Sequence, residues 1–166
     1  MPKILVLGPS GSGKTYISAA LREKGINALD GDLIENLSDW FDGTGNKVGC
    51  PPDANKEFLD THEFLWDREV LKDFLKQQDS VYLFGMSGNA FDMVDLFDKT
   101  YFLKATPEIL ANRLRHESRE NPMGKTDYQL QNALDWAKEI EQEASSRGIA
   151  TLDANKSPEE IFDEIV

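Results

Sequence analysis

Leu7-Gly8-Pro9-Ser10-Gly11-Ser12-Gly13-Lys14-Thr15, following Lys3-Ile4-Leu5-Val6, is the stretch that decides how this chain is read. Gly8, Gly13, Lys14 and Thr15 fall in the spacing G-x-x-x-x-G-K-[ST]. Glycines at these positions let the backbone curl so that successive N–H groups converge on one anion. A helix starting at Lys14 presents further unpaired N–H groups and its positive dipole end to the same point. The spacing therefore predicts a nucleoside triphosphate site built from Gly8, Ser10, Gly11, Ser12, Gly13, Lys14 and Thr15. Lys14 reaches the β- and γ-phosphates, and the Thr15 hydroxyl is a candidate Mg²⁺ ligand. A chance Gly/Ser turn would lack the flanking elements that are legible here. Ile4 to Leu7 is a continuous β-favouring apolar run, as in a parallel strand buried on both faces. Tyr16 to Lys24 reads as a helix ended by Gly25.

The 166 residues are 40% apolar and 29% charged, the composition of one globular domain over 1–166. Eighteen basic against thirty acidic residues leave a net charge of −12, which argues against nucleic acid as the main partner. The single cysteine, Cys50, excludes an internal disulfide framework and fits a reducing compartment. The first strand begins at once, which leaves no room for a signal peptide, and no apolar run approaches the roughly 20 residues of a membrane span. The expectation is a soluble, cytoplasmic protein.

Working outward, Ile26 to Leu29 reads as a second strand that closes in Asp30-Gly31-Asp32. Leu33 to Trp40 predicts a brief helix, and Phe41 to Asn55, rich in Gly, Asp, Asn and Pro, a long loop. Apolar residues from Phe58 to Leu75 keep near-helical spacing and predict a helix over 57–76. Val81 to Phe84 is a third strand ending at Gly85, Ala90 to Phe97 a short helix, and Tyr101 to Leu103 a fourth strand. Thr106-Pro107 marks an N-cap and first turn of a helix running to about Arg115. Asp127 to Ser146 reads as a long amphipathic helix, Ile149 to Leu152 as a fifth strand, and Ser157-Pro158 as the cap of the last helix. Strands alternating with helices predict an α/β fold, a five-stranded parallel sheet with helices on both faces. Ligands of such sheets sit at the carboxyl ends of the strands, where the phosphate loop, Asp30-Gly31-Asp32 and Gly85 to Asn89 all fall.

Asp30 and Asp32 are two carboxylates two residues apart at a strand end. One can face Mg²⁺ and accept a hydroxyl proton while the other orients an acceptor, and phosphoryl transfer needs little more than such positioning and charge neutralisation. The bland alternative is an Asp-Gly turn with solvated acids. Leu29-Asp30-Gly31-Asp32 after a phosphate loop resembles the adenylylsulfate kinases, and the gluconate and shikimate kinases carry a similar acidic element. Over most of its length the chain is similar to a group of small bacterial ATP-binding proteins described as AAA-family or shikimate-kinase-like. That likeness rests on Trp66-Asp67-Arg68, Gly85-Met86-Ser87-Gly88-Asn89, Phe97-Asp98 and Asn121 to Thr126. The resemblance implies a P-loop NTPase fold of the nucleotide-kinase type and ATP as cofactor with Mg²⁺, and it leaves the acceptor open. It also implies a lid at about 115–126 whose cations close over the phosphates, with Arg119 and Lys125 as candidates and Arg113 packing on adenine. A helix end with cations that merely complement the dipole is the alternative for these residues.

Leu152 to Glu160 resembles the segment that lines the base in nucleotide kinases, which makes Asn155 a candidate base contact; a plain strand, loop and capped helix would read the same. Asn155-Lys156 is not the guanine-reading Asn-Lys-x-Asp, because Ser157-Pro158 follows, so ATP is preferred to GTP. His62 and His116 show no metal-ligand spacing, and Trp40, Phe41, Phe58 and Trp66 either wall an acceptor pocket or belong to the core. A large ATPase motor would end its third strand in acids, where this chain has Gly85-Met86, and its length leaves no arginine-finger subdomain. The leading expectation is a small-molecule kinase with its acceptor held between Asp32 and an insertion at about 33–66. A nucleotide-binding regulatory protein with weak hydrolysis is the second reading, and a nucleoside monophosphate kinase the third. The stretch from Asp30 to Glu63 holds nine acids against Lys47 and Lys56 and no arginine, which favours an uncharged or cationic acceptor over a phosphate monoester.

Overall fold

Alternate residues of Lys3–Leu7 (β1) belong to different cores. Leu5 and Leu7 pack with Leu71, Leu75, Leu83, Phe102 and Ile140, whereas Ile4 and Val6 pack with Ile17, Leu21, Phe84, Leu103 and Ile161. The twofold period of a strand thus divides one apolar run between two helical layers. In the computed structural model, residues 2–9, 12–42, 47–48, 63–115 and 127–165 are described, with the backbone alone at 47–48, 112–115, 127–130 and 132. The strands Ala28–Asp30 (β2), Val81–Gly85 (β6), Lys99–Lys104 (β7) and Ala150–Asp153 (β8) join β1 in the order β2-β6-β1-β7-β8. Every neighbouring pair is parallel, with Leu5 opposite Leu83 and Thr100, so the five-stranded parallel sheet read from the sequence is present.

Lys14–Glu23 (α1) and Pro158–Ile165 (α5) cover one face; Arg68–Lys76 (α2) and Asp127–Ser146 (α4) cover the other, and Pro107–Arg115 (α3) packs on α4. Local chemistry sets the helix ends. Gly25, at φ +83°, closes α1 with its N–H on the Arg22 carbonyl. The Asp67 carboxylate accepts from the N–H groups of Glu69 and Val70 and so starts α2. Ser157 and Glu160 bond reciprocally to each other's N–H groups around Pro158 at the start of α5. No helix of the described residues is long and apolar enough to cross a membrane.

The structure departs from the sequence reading between β2 and α2. Instead of a helix over Leu33 to Trp40 there is a 3-10 turn, Gly31–Leu33, then a strand, Ser38–Phe41 (β3). Asn36 adopts φ +66°, a left-handed conformation that Asn tolerates and that ends any helix there. The helix expected over 57–76 is α2 alone; Glu63–Trp66 (β5) before it is a strand, and 57–62 lie outside the described residues. Strand β3 pairs antiparallel with β5 and with Lys47–Val48 (β4), so a three-stranded sheet β4-β3-β5 stands beside the main one. Its partners are some 25 residues apart in sequence, and pairing at that range overrides a local period.

Trp66 joins the two sheets. Its indole lies on Gly31 and Gly85, so closely that a Cβ on Gly85 would stand 2.6 Å from Cζ2 and one on Gly31 3.2 Å. The Asn89 amide pairs with the backbone of Trp66 as a strand would, accepting from its N–H at 2.8 Å and donating to its carbonyl at 2.9 Å. The buried Ser87 hydroxyl donates to the same Asn89 oxygen, and the Gly88 N–H to the Phe64 carbonyl. Gly85→Ala is expected to cost about 1–3 kcal/mol by forcing the indole out of its seat. Urea unfolding checks it, and Trp66→Phe in the same chain is expected to restore part of the loss.

Candidate functional site: the phosphate loop and its acidic corner

Strand β1 ends at Leu7 and α1 begins at Lys14, with Gly13 at φ +101° turning the chain into the helix. Gly8 has no room for a side chain: a Cβ there would meet Ser12 Oγ at 2.7 Å and Leu103 Cβ at 3.0 Å. Ser12 is fully buried, and its hydroxyl has no hydrogen-bond partner among the described residues. A buried polar group left so is costly, and such sites mark groups kept for a ligand or a rearrangement. The Lys14 ammonium donates to the carbonyls of Gly8 at 2.6 Å and Pro9 at 2.8 Å, closing over the loop it follows.

The Thr15 hydroxyl donates to Asp30 Oδ2 at 2.6 Å, while Asp30 Oδ1 accepts the Asp32 N–H at 2.9 Å. The parallel pairing of β2 with β6, Asp30 opposite Phe84, carries this carboxylate to the start of α1 and leaves it only 5% exposed. Asp32 follows in the 3-10 turn with one edge in solvent. Its carboxyl is raised above the usual 3.8, first by desolvation of its packed side, then by the negative charge of Asp30; the Lys14 ammonium opposes this, and a hydrogen bond with Asp30 adds to it. The result is two acids of different character: Asp30 buried with both oxygens engaged, Asp32 open at one edge with its carboxyl raised.

On the other side of the loop, Gly13, Tyr16 and Ile17 face the connection between β8 and α5 across an open cleft of about 420 Å³. Asn155, Ser157 and Pro158 line the far wall. The structure thus gathers Gly8, Ser12, Gly13, Lys14, Thr15, Asp30 and Asp32 at one end of the sheet, with Asn155 across the cleft from Gly13. Ser10, Gly11, Arg119 and Lys125 lie outside the described residues, as do the side chain of Arg113 and both histidines. Trp66 is core rather than pocket wall; Trp40 and Phe41 are half-buried, with Trp40 against Phe64 at 5.6 Å between ring centroids. Sequence reasoning passed over Tyr16, whose signal is an aromatic residue directly after the motif's threonine. Arg68, the first arginine after the acidic stretch, has its guanidinium held by both Asp95 oxygens and the Asp92 carbonyl.

A family model described as an AAA domain matches residues 4–144. A nucleotide-binding protein of Psychromonas ingrahamii is 26% identical over 156 residues, covering 92% of this chain and 48% of the relative, so the chain spans about half the length of the curated relative it matches. Among solved structures, shikimate kinase from Bacteroides thetaiotaomicron is similar at a TM-score of 0.59 and 21% identity, over 99% of this chain and 96% of that one. A gluconokinase from Sinorhizobium meliloti 1021 is similar at 0.54 and 18%, over 98% and 88%. The parallel sheet with helices on both faces is the P-loop kinase fold of these neighbours. Because the match runs from β1 into the last turn of α4, the chain belongs to the AAA domain family.

Proposed function

We propose that this chain is an ATP-dependent small-molecule kinase that transfers the γ-phosphoryl group to a hydroxyl of an uncharged or cationic acceptor, of the nucleoside, sugar or polyol class. The observation that carries the reading is the Thr15–Asp30–Asp32 chain of hydrogen bonds beside the phosphate loop. Thr15 Oγ1 and the Asp30 carboxylate are adjacent hard oxygen donors of the kind Mg²⁺ takes, and a metal held there would neutralise charge on the phosphate oxygens. The Ser12 hydroxyl, without a hydrogen-bond partner among the described residues, and the cleft beside Gly13 suit a triphosphate with its base attached. In the proposed step the acceptor oxygen bonds to the γ-phosphorus, the bond from that phosphorus to the β,γ-bridging oxygen breaks, ADP leaves, and the hydroxyl proton passes to Asp32. A carboxylate with a raised pKa is the better base for that proton. On sequence grounds alone, Arg119 and Lys125 would close over the phosphates and Arg113 would pack near the base, and the reaction would take place in the cytoplasm, in keeping with the single Cys50.

The acceptor class follows from charge. Nine acids lie between Asp30 and Glu63, and Asp32, Asp39 and Asp42 are among the described ones. Holding a phosphate monoester calls for an arginine fork, and the fork of Arg68, the first arginine after this stretch, is spent on Asp95. This weighs against a nucleoside monophosphate as acceptor. A regulatory protein that binds ATP and hydrolyses it slowly is the second reading, supported by the name of the Psychromonas ingrahamii relative.

ATP consumption measured with a panel of nucleosides, sugars, polyols and aminoglycosides, against their phosphorylated counterparts, separates the readings. Stimulation by a neutral or cationic class is expected, and a nucleoside monophosphate turned over faster than all of them would overturn the charge argument. With the responding acceptor, Lys14→Ala is expected to lower turnover at least about tenfold, and Asp32→Asn to lower kcat by about 10²–10⁴ with ATP affinity little changed. Asp32 also sets a pH dependence. A carboxyl raised in the folded state favours folding below its unfolded value near 3.8, and that contribution is lost as pH rises through the raised value. Asp32→Asn is therefore expected to melt higher than the parent at neutral pH without ligand, with the gap closing as pH falls toward the ordinary carboxylate range. Thermal melts of both proteins across that range check it.

A further inference from the structure

We propose that Tyr16 is the stacking platform for the base of the bound nucleotide and sets the preference for a purine. The inference rests on the reading above only for the claim that the phosphate loop takes a nucleoside triphosphate. Tyr16 is 69% exposed, and no other aromatic ring among the described residues is left exposed. Burying a ring of this size is favourable, and this one lines the cleft beside the loop, where a flat partner would cover it. It sits on the first turn of α1, two residues past Lys14, and lines the cleft beside Gly13.

The rest of the cleft fits the same partner. Its lining includes the apolar residues Ile17, Ala154 and Pro158. The charged residues at its rim are engaged elsewhere: Glu159 with Lys24 at 2.6 Å and Lys156 with Glu164 at 2.9 Å. Asn155 is held through its backbone N–H by Asp153 Oδ1, and its side-chain amide has no partner among the described residues. An amide that both donates and accepts matches the edge of a purine, and the larger purine overlaps a tyrosine ring more fully than a pyrimidine does. The ring, the amide and the apolar floor read together as a base site whose stacking half is Tyr16.

Equilibrium binding to the full chain by calorimetry, with ATP, CTP and inorganic tripolyphosphate in Mg²⁺, tests this. Tyr16→Ala is expected to weaken ATP by roughly five- to a hundredfold, the range for loss of one stacked base, and to narrow the ATP-over-CTP preference, while tripolyphosphate binds as before. Tyr16→Phe, which keeps the ring, is expected to restore ATP binding. Equal losses for ATP and tripolyphosphate, no loss for ATP, or failure of phenylalanine to substitute would each overturn the role of Tyr16. A wild-type chain that does not bind tripolyphosphate would instead overturn the phosphate-loop reading on which the inference rests.

Discussion

The contact on which the rest of this structure depends is the Trp66 indole resting on two glycines. Gly31 follows the β2 carboxylate and Gly85 ends β6, so a single ring touches the ends of two neighbouring strands of the main sheet. Without a Cβ at either position the ring comes close enough to fill the corner, and Leu37 closes the other side of Gly31. The Asn89 amide satisfies both backbone polar groups of Trp66, which would otherwise be buried unpaired at the edge where the second sheet meets the first. Asp30 and Asp32 flank the glycine that the indole covers. The positions of the acids beside the phosphate loop therefore depend on a residue more than thirty positions later in the chain.

That dependence explains what could be read from the sequence and what could not. The phosphate loop, the five parallel strands and the ends of α1, α3 and α5 rest on local chemistry: a glycine spacing, a β-branched run, a capping box, Thr106 with Pro107. These were legible because each signal and the structure it produces lie within a few residues. The strands β3 and β5 were not, because their partners are far apart and the 3.6 period of α2 spills forward over Phe64 and Leu65. Asp67, read together with the two N–H groups it caps, is the residue that could have moved the helix start to Arg68. In the site, the paired acids were legible from spacing, but their division of labour was not. Burial of Asp30, the bond from Thr15 and the exposed edge of Asp32 all come from how β2 is placed in the sheet.

The acidic corner also sets stability against chemistry. Desolvation and like charge at Asp32 are unfavourable to the folded chain at neutral pH, and the same two causes make its carboxylate a stronger base. The buried Ser12 hydroxyl is a second unfavourable feature, a few residues away in the same loop. Both lie at the loop and corner where a triphosphate and its metal would bring compensating charge and hydrogen bonds, while the cores on either face of the sheet carry no such features among the described residues.

The Lys14 ammonium turned onto the Gly8 and Pro9 carbonyls makes entry of an anion an exchange rather than an addition. The lysine ties the start of α1 back to the residues that follow β1, and a ligand that draws its ammonium away loosens that tie. Such a ligand must displace charge-assisted hydrogen bonds, each contributing about 1.5–3 kcal/mol. The heat of association will then fall short of what the new bonds alone would give, because two existing bonds are lost as they form. An anion that engages the helix start as well as the lysine gains more bonds for the same two lost than one that reaches the lysine alone.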